Sequence, residues 1–231
     1  FGHKLNYVDV QDDSQFDSEH YKKLRSINQT KRMPVIMHVL YGGVSKINNF
    51  FTVGDEIVIV DSAHCVTPSI NSDFIFFSFH PYKPICSSDG GMISTSEEKA
   101  KNYFKNYRNF GRIKHGNSYE IKSDGFKFYM NNLNATIALT QLGRYEENLN
   151  TRKRNYKLLQ ERFSVLPHDS MSSYYFATTL VNNAEQIIKE TGLIKNYPML
   201  HKMSYYNNNQ VLPNLERLHS KILNLPLWNI F

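Results

Sequence analysis

A lysine and an aspartate follow two apolar runs of this 231-residue chain, and both side chains can take part in chemistry. Asp61 closes the run EIVIVD, and Lys83 comes shortly after the run DFIFFSF, between two prolines. A lysine amine is a nucleophile only when it has lost its proton, and partial burial favours that loss because it disfavours the charged form. The two residues therefore point to amine chemistry.

Pyridoxal 5'-phosphate (PLP) needs a lysine for a Schiff base and an acidic partner at its pyridine nitrogen. Asp61 and Lys83 could supply both, because open α/β sheets bind ligands where the strands end. Ser78 stands five residues before Lys83 and could donate to a phosphate, and His64 could bond the phenolic oxygen. The structural alternatives stay open: Asp61 as a helix N-cap, Lys83 as an exposed loop lysine, and a serine and a histidine without a ligand.

The elements that must position these residues are short apolar runs rich in β-branched residues. They lie at 6–10, 34–41, 56–61, 73–79 and 91–96. Runs that are apolar at successive positions are typical of strands covered on both faces, and helix-like stretches lie between them. We predict an α/β fold with a mostly parallel sheet.

Helical periodicity follows the predicted sheet. Apolar residues recur at helical spacing from Ser96, a predicted N-cap, to just before Gly111. The polar, turn-rich segment 111–125 is predicted to be a surface loop. A long helical pattern then covers 131–163, with a break expected near Asn150.

The C-terminal part of the chain shows a mixed pattern. Segment 174–181 is strand-like, 183–191 is helix-like, and 213–225 is predicted to be helical. We predict two domains, a large ligand-binding domain at 1–148 and a small α+β domain at 149–231.

The formal net charge of +6 does not by itself indicate nucleic acid. The basic residues are scattered among acidic ones, and the dense cluster at 151–157 lies on a predicted helix. Cys65 and Cys86 form no CxxC pair, so neither a disulfide framework nor a metal site is predicted. No apolar run approaches the roughly 20 residues that cross a bilayer. We predict a cytoplasmic protein that binds neither nucleic acid nor membrane.

Four motifs occur in an order that resembles a known family: DSAHCVTP, FFSFHPYKPICSSDGG, YRNFGR and GFKFYMNNLNATIALTQL. The chain from NYVDV to LNLPLW is similar to the PLP-dependent aminotransferases of the DegT/DnrJ/EryC1/StrS type, which aminate keto sugars attached to nucleotides. The resemblance implies a large domain with the aspartate-aminotransferase-like fold (fold type I) and a small C-terminal domain.

The resemblance also implies roles for individual residues. Asp61 would pair with the pyridine nitrogen, Ala63 would lie against one face of the ring, and His64 would lie near the phenolic oxygen. Ser78 would bind the phosphate, and Lys83 would form the Schiff base. Relatives that carry out dehydration have a histidine in place of that lysine, so Lys83 favours transamination.

Two further residues enter by resemblance alone. Lys127 stands where many members have asparagine, and it is expected to reach the phosphate of the neighbouring subunit's cofactor in a homodimer with shared active sites. Tyr129 stands where many members have arginine. His201, in the segment NYPMLHK, is expected to contact the substrate.

The implied reaction transfers an amino group from glutamate to a keto-deoxy sugar linked to a nucleotide diphosphate, for glycan or polysaccharide biosynthesis. Family members begin with several dozen further residues, including a Gly-Ser/Thr loop that holds the cofactor phosphate. This sequence aligns from NYVDV onward, so we expect it to lack the family's N-terminal segment. One alternative is a catalytically degenerate dimerisation or scaffold protein. Another is a basic α/β module that binds phosphorylated ligands without PLP.

Overall fold

The structure is a computed structural model that describes residues 4–27, 33–45, 52, 54–193, 197–206 and 209–228. Its helices are α1 (Ser18–Ile27), α2 (Glu98–Tyr107), α3 (Asn132–Gly143), α4 (Tyr145–Gln160), α5 (Ala184–Thr191) and α6 (Pro213–His219). Its strands are β1 (Val35–Val39), β2 (Ile57–Asp61), β3 (Phe74–Ser78), β4 (Gly91–Ser94), β5 (Arg112–His115), β6 (Ser118–Ile121), β7 (Phe176–Leu180) and β8 (Ile222–Pro226). Single turns of 3-10 helix lie at Tyr41–Gly43 and Leu200–Lys202.

Strands β1 to β4 form the main sheet in that order, and the first three run parallel. Strand β4 is antiparallel to β3. The register pairs Val39 with Asp61 and Asp61 with Phe76, so the carboxyl ends of the parallel strands meet at one edge. The prediction of an α/β fold with a mostly parallel sheet is confirmed.

The core of the sheet lies mainly on one face. Its buried cluster consists of Leu40, Val44, Val58, Val60 and Cys65. Strand β1 instead alternates between exposed and buried residues, and all of β4 is exposed. The prediction of strands covered on both faces is therefore wrong for β1 and β4, which are the edges of this sheet as the described residues form it.

The run at 6–10 is extended but is not a strand of the sheet. Among the described residues, its one β-type pairing is an isolated bridge between Val10 and Phe16. Asp9 instead accepts the backbone N–H groups of Asn214 and Leu215 at 3.1 and 2.8 Å. These N–H groups belong to the first turn of α6, where backbone N–H groups have no carbonyl acceptor within the helix. The N-terminal segment is thus tied to the C-terminal part of the chain by a helix cap.

The polar segment predicted as a loop contains a β-hairpin. Strands β5 and β6 pair antiparallel, and the turn between them contains Gly116 with a φ of 61°. Such a turn needs positive φ, which glycine adopts without steric cost. The prediction was wrong because each strand has only four residues, too few for the alternation in SYEI to outweigh the turn residues around it.

Helices α2 to α4 follow the predicted pattern with shifted ends. Glu97, not Ser96, is the N-cap of α2, and its side chain accepts the Lys99 N–H at 3.3 Å. Asn131 caps α3, so the helix begins where the helical pattern was predicted to begin. The break before α4 falls at Arg144, not near Asn150. The boundary predicted between 148 and 149 lies within α4 and stays a prediction.

The predicted helix at 213–225 ends early. Residues 213–219 form α6, but Ile222–Pro226 form β8, which pairs antiparallel with β7. The β7–β8 pair packs on α4 through a buried cluster of Tyr156, Ala177 and Leu227. Packing of alternating apolar residues against this helix outweighs helical propensity in the second half of the segment.

Candidate active site

The carboxyl edge of the parallel strands carries most of the residues that the sequence indicated. Asp61 is the last residue of β2, and Ser78 is the last residue of the adjacent strand β3. Lys83 lies in the turn that follows, where its backbone N–H donates to the His80 carbonyl at 2.9 Å. Ligands bind at this edge in open α/β sheets.

Asp61 does not cap a helix. Its Oδ1 accepts the backbone N–H of Ala63 at 2.9 Å, and residues 62–73 are irregular. This short-range bond is an Asx turn, which holds the carboxylate at the end of the strand. The helix-cap alternative is therefore wrong, and the side chain stands at the sheet edge beside the segment DSAH.

Lys83 lies in a half-buried, aromatic setting. Its Nζ is 5.4 Å from the centroid of the Tyr175 ring, a distance at which the ring face attracts a cation. Burial lowers the pKa of Lys83 below its usual 10.5, and the negative charge of Asp61 opposes that shift. The amine is thus easier to deprotonate than an exposed lysine, and it is coupled electrostatically to Asp61.

His64 is buried and tightly held. Its ring stacks on the Tyr175 ring with centroids 4.1 Å apart, and its Nε2 lies 2.9 Å from the Tyr197 hydroxyl oxygen. Its Nδ1 is buried and has no hydrogen-bond partner in the described part of the chain. Burial lowers the pKa of His64 to about 3, and the charge of Lys83 adds to this shift. The imidazole is therefore neutral at physiological pH.

Sequence reasoning missed the tyrosines that surround His64. Tyr41, Tyr175 and Tyr197 come from three distant segments. The Tyr41 hydroxyl accepts the side-chain N–H of Asn224 at 2.7 Å, and burial raises the pKa values of Tyr41 and Tyr175 to about 12. Of the three, Tyr41 had a usable signal, because it closely follows the carboxyl end of β1.

The remaining predicted residues have other surroundings. The Ser78 hydroxyl accepts the His80 N–H at 3.4 Å, a long contact. Lys127 forms a β-bridge with Asn109. The contacts described for Lys127 and for His201 involve neither Asp61 nor Lys83, and their roles stay predictions.

His201 is almost fully buried, with its Nε2 3.0 Å from a carboxylate oxygen of Glu216. Lys202 contacts the same oxygen at 2.9 Å. Hydrogen bonds from Lys202 and His201 lower the pKa of Glu216 to about 2. This cluster ties the turn Leu200–Lys202, at the end of the segment NYPMLHK, to α6.

The arrangement of Asp61, His64 and Lys83 suits the functional groups of PLP. The carboxylate suits a protonated pyridine nitrogen, the amine suits an aldehyde, and the unpartnered His64 Nδ1 leaves a polar atom for the phenolic oxygen.

A cluster of side chains that could hold a metal ion was not found among the described residues. In the same part of the chain, no helix combines the length and apolar character needed to cross a membrane.

Solved structures share this fold at low sequence identity. PseC from Helicobacter pylori, an aminotransferase involved in the biosynthesis of pseudoaminic acid, matches with a TM-score of 0.81 and 20% identity over 97% of this chain and 68% of its own. The sugar aminotransferase CalS13 from Micromonospora echinospora matches with a TM-score of 0.79 and 15% identity over 98% and 71%. Spr1654 from Streptococcus pneumoniae, in its PLP form, matches with a TM-score of 0.78 and 23% identity over 98% and 70%.

These likenesses establish an aminotransferase fold for this chain. A model of the DegT/DnrJ/EryC1/StrS aminotransferase family, whose members use PLP, matches residues 1–231. The match covers both the sheet edge that carries Asp61 and Lys83 and the C-terminal β7–β8 unit. The chain belongs to the DegT/DnrJ/EryC1/StrS aminotransferase family.

Proposed function

We propose that this protein is a PLP-dependent sugar aminotransferase. It takes an amino group from glutamate and transfers it to a keto-deoxy sugar linked to a nucleotide diphosphate, for glycan or polysaccharide biosynthesis. The observation that carries the proposal is the half-buried amine of Lys83, with a lowered pKa, coupled to Asp61 at the carboxyl edge of the sheet.

Five residues would hold the cofactor. Lys83 would attach it covalently, Asp61 would face the pyridine nitrogen, and Ala63 would lie against the ring. His64 would bond the phenolic oxygen, and Ser78 would bond the phosphate. When bound, PLP supplies a ring that accepts electrons from a substrate carbon.

Two residues complete the proposed site. Lys127 would reach the phosphate of the cofactor in the other subunit of a homodimer, and its ammonium suits a phosphate as a point charge. His201 would contact the sugar substrate.

Lys83 is the proposed acid and base. With its pKa lowered, a larger fraction of its Nζ is neutral and can accept a proton from the α-carbon of the amino donor. The resulting ammonium, stabilised by Asp61 and by the face of the Tyr175 ring, would give this proton up again before the donor leaves as its keto acid. In the second half-reaction the same amine would take up a proton and deliver it to the sugar carbon that receives the amine. His64 stays neutral, so it contributes a hydrogen bond without adding a second positive charge beside Lys83.

The proposal is tested by locating the cofactor attachment in the full-length protein. Wild type, Lys83→Ala and Lys105→Ala are incubated with PLP, reduced with borohydride and mapped by peptide mass spectrometry. Lys105 is an exposed lysine on α2 and serves as the control. We expect a pyridoxyl adduct on Lys83 in wild type and in Lys105→Ala, and none at this position in Lys83→Ala.

The substrate is tested with the same proteins. Glutamate should release 2-oxoglutarate from wild type and Lys105→Ala, and nucleotide-linked keto sugars should then be converted to amino sugars. If folded wild type forms no adduct, the proposal of an enzyme fails and the alternative of a catalytically degenerate scaffold protein takes its place. An adduct with no turnover of nucleotide-linked sugars would overturn the substrate class alone.

A further inference from the structure

His64 is held from two sides by tyrosines of the C-terminal part of the chain. Tyr175 immediately precedes β7 and stacks on the imidazole, and Tyr197 bonds its Nε2. Tyr197 is 133 positions from His64 in sequence. Both contacts therefore depend on how the C-terminal part folds back on the sheet edge.

Tyr175 is anchored through its backbone. Its N–H donates to the Gly42 carbonyl at 2.9 Å, and the neighbouring Gly43 approaches so closely that a Cβ there would lie 2.8 Å from the Tyr175 nitrogen. Trp228 packs beside its ring, with centroids 5.6 Å apart. The ring is thus fixed over His64, and the side chain is 7% exposed.

Tyr197 is anchored as well. Its φ of 63° lies in the left-handed region, which is uncommon for a bulky residue and persists only where surrounding contacts hold it. One such contact is a hydrogen bond of 3.2 Å between its backbone carbonyl and Nε2 of His219, which is the last residue of α6. The ring of Tyr41 lies 6.4 Å from its own ring. The hydroxyl is therefore presented to His64 by a braced segment.

A neutral imidazole has one nitrogen that donates and one that accepts, and the partner of one nitrogen decides the role of the other. Burial and the charge of Asp61 raise the pKa of Tyr197, so its hydroxyl keeps its proton. An imidazole nitrogen is a better acceptor than a phenol oxygen, so Tyr197 donates to Nε2. The single imidazole proton then resides on Nδ1.

We propose that Tyr175 and Tyr197 are positioning residues that hold His64 neutral and in its Nδ1–H tautomer. Tyr175 keeps water from the ring, and Tyr197 selects the tautomer. Under the proposed function, on which this role rests, Nδ1–H is the donor left for the phenolic oxygen of the cofactor. The C-terminal part would thus set the hydrogen bonding of a cofactor-binding residue that lies in the segment after β2.

The test measures His64 directly, in full-length protein without cofactor. Proteins labelled with ¹⁵N-histidine are titrated by NMR, because the ring nitrogens of the two neutral tautomers have different shifts, and His64→Gln assigns the signals. The groups that face His64 and can affect its titration are Lys83, Tyr41, Tyr175 and Tyr197. Thermal unfolding of each variant shows that it is folded.

Three substitutions separate the two roles. Tyr197→Phe removes the hydroxyl and should convert the Nδ1–H pattern into a tautomer mixture. Tyr175→Leu should raise the pKa of His64 toward its usual 6.5, since burial is the main cause of its lowering. Tyr175→Phe keeps the aromatic face, so His64 should titrate in this variant as it does in wild type. Tyr205→Phe, at a side chain 88% exposed, is the control and should change nothing.

An unchanged tautomer pattern in folded Tyr197→Phe, or an unchanged His64 pKa in folded Tyr175→Leu, would overturn the proposal. Neither measurement needs PLP, so this outcome is distinct from failure of the proposed function. If PLP binds, its affinity provides a second check. Tyr197→Phe should weaken binding about 3- to 10-fold in wild type and add no further loss in His64→Gln, because Tyr197 acts through His64.

Discussion

At the residue scale, the charge on Lys83 reflects two opposing effects. Burial lowers the pKa of Lys83, and Asp61 opposes the shift. A lysine with a lowered pKa is neutral to a greater extent above neutral pH, and the neutral form is the nucleophile. Asp61 thus restrains the reactivity of Lys83 while it provides the carboxylate that a pyridine nitrogen requires.

Removal of the Asp61 charge should therefore make Lys83 more reactive. Asp61→Asn keeps an oxygen that can accept the Ala63 N–H but removes the attraction that raises the Lys83 pKa. We expect labelling of Lys83 by an amine-specific reagent to become about threefold faster or more near pH 8, because the neutral fraction grows as the pKa falls. Competitive labelling with peptide mass spectrometry measures the rate in cofactor-free protein.

The control for this experiment is Asp73→Asn. Asp73 lies just before β3, at the opposite end of that strand, where it accepts the Val58 N–H at 2.8 Å. Its substitution should leave the labelling of Lys83 unchanged. Equal or slower labelling in Asp61→Asn would show that Asp61 does not stabilise the Lys83 ammonium.

At the element scale, the turn after β1 joins the sheet edge to the segment before β7. Gly43 has a φ of 90°, and a Cβ at this position would lie 2.8 Å from the Tyr175 nitrogen and 2.9 Å from the His64 carbonyl oxygen. Both neighbours are backbone atoms, which cannot rotate away. The approach of these two segments therefore requires glycine.

Gly43→Ala should be strongly destabilising. We expect it to lower the free energy of unfolding by about 2–4 kcal/mol, because positive φ and backbone crowding add. The matched control is Gly116→Ala in the β5–β6 turn, where φ is 61° and no atom lies within 4 Å of the added Cβ. It should cost only about 1 kcal/mol. Chemical denaturation measures both, and equal losses would show that the close approach to Tyr175 and His64 contributes nothing.

Asp169 joins the same two segments by hydrogen bonds. Its carboxylate accepts the Ser45 hydroxyl at 2.6 Å, the Ser45 N–H at 3.0 Å and the Ser172 hydroxyl at 2.9 Å. A further hydrogen bond joins the hydroxyls of Ser173 and Tyr145 at 2.8 Å. This network holds the segment before β7, which carries Tyr175, against the segment that follows β1.

At the scale of the whole molecule, the exposed apolar side chains of α3 indicate an interface with another protein chain. None of the residues of α3 is buried, and even its apolar residues Leu133 and Leu139 are 78% and 69% exposed. A short helix with so many exposed apolar side chains is marginal in water without a covering surface. The proposed function includes a homodimer with shared sites, so we propose that a second copy of the chain covers this face of α3.

Charged substitutions on α3 test the dimer. We expect the full-length wild type to sediment as a dimer and the double variant Leu133→Asp, Leu139→Asp to sediment as a monomer, because burial of two carboxylates is costly. Val211→Asp, at a loop residue 69% exposed, should remain a dimer. A monomeric wild type, or a double variant that stays dimeric, would contradict the assignment of this face to the subunit interface.

The sequence by itself determined the sheet and the residues at its edge. The strands that end at Asp61 and Ser78, and the turn that carries Lys83, could be predicted because apolar runs and turn residues are local patterns. The same holds for the start of α3, because the helical pattern was predicted from residue 131. The family resemblance depended on these same segments.

Only the tertiary structure decided what surrounds His64. Tyr175 and Tyr197 lie far from it along the chain, and no local pattern specifies which distant side chains will meet a buried imidazole. Strand β8 was mistaken for a helix for the same reason, because its pairing with β7 and its packing on α4 outweigh local propensity. Contacts between distant segments form only when the chain folds, and the protonation state of His64 depends on them.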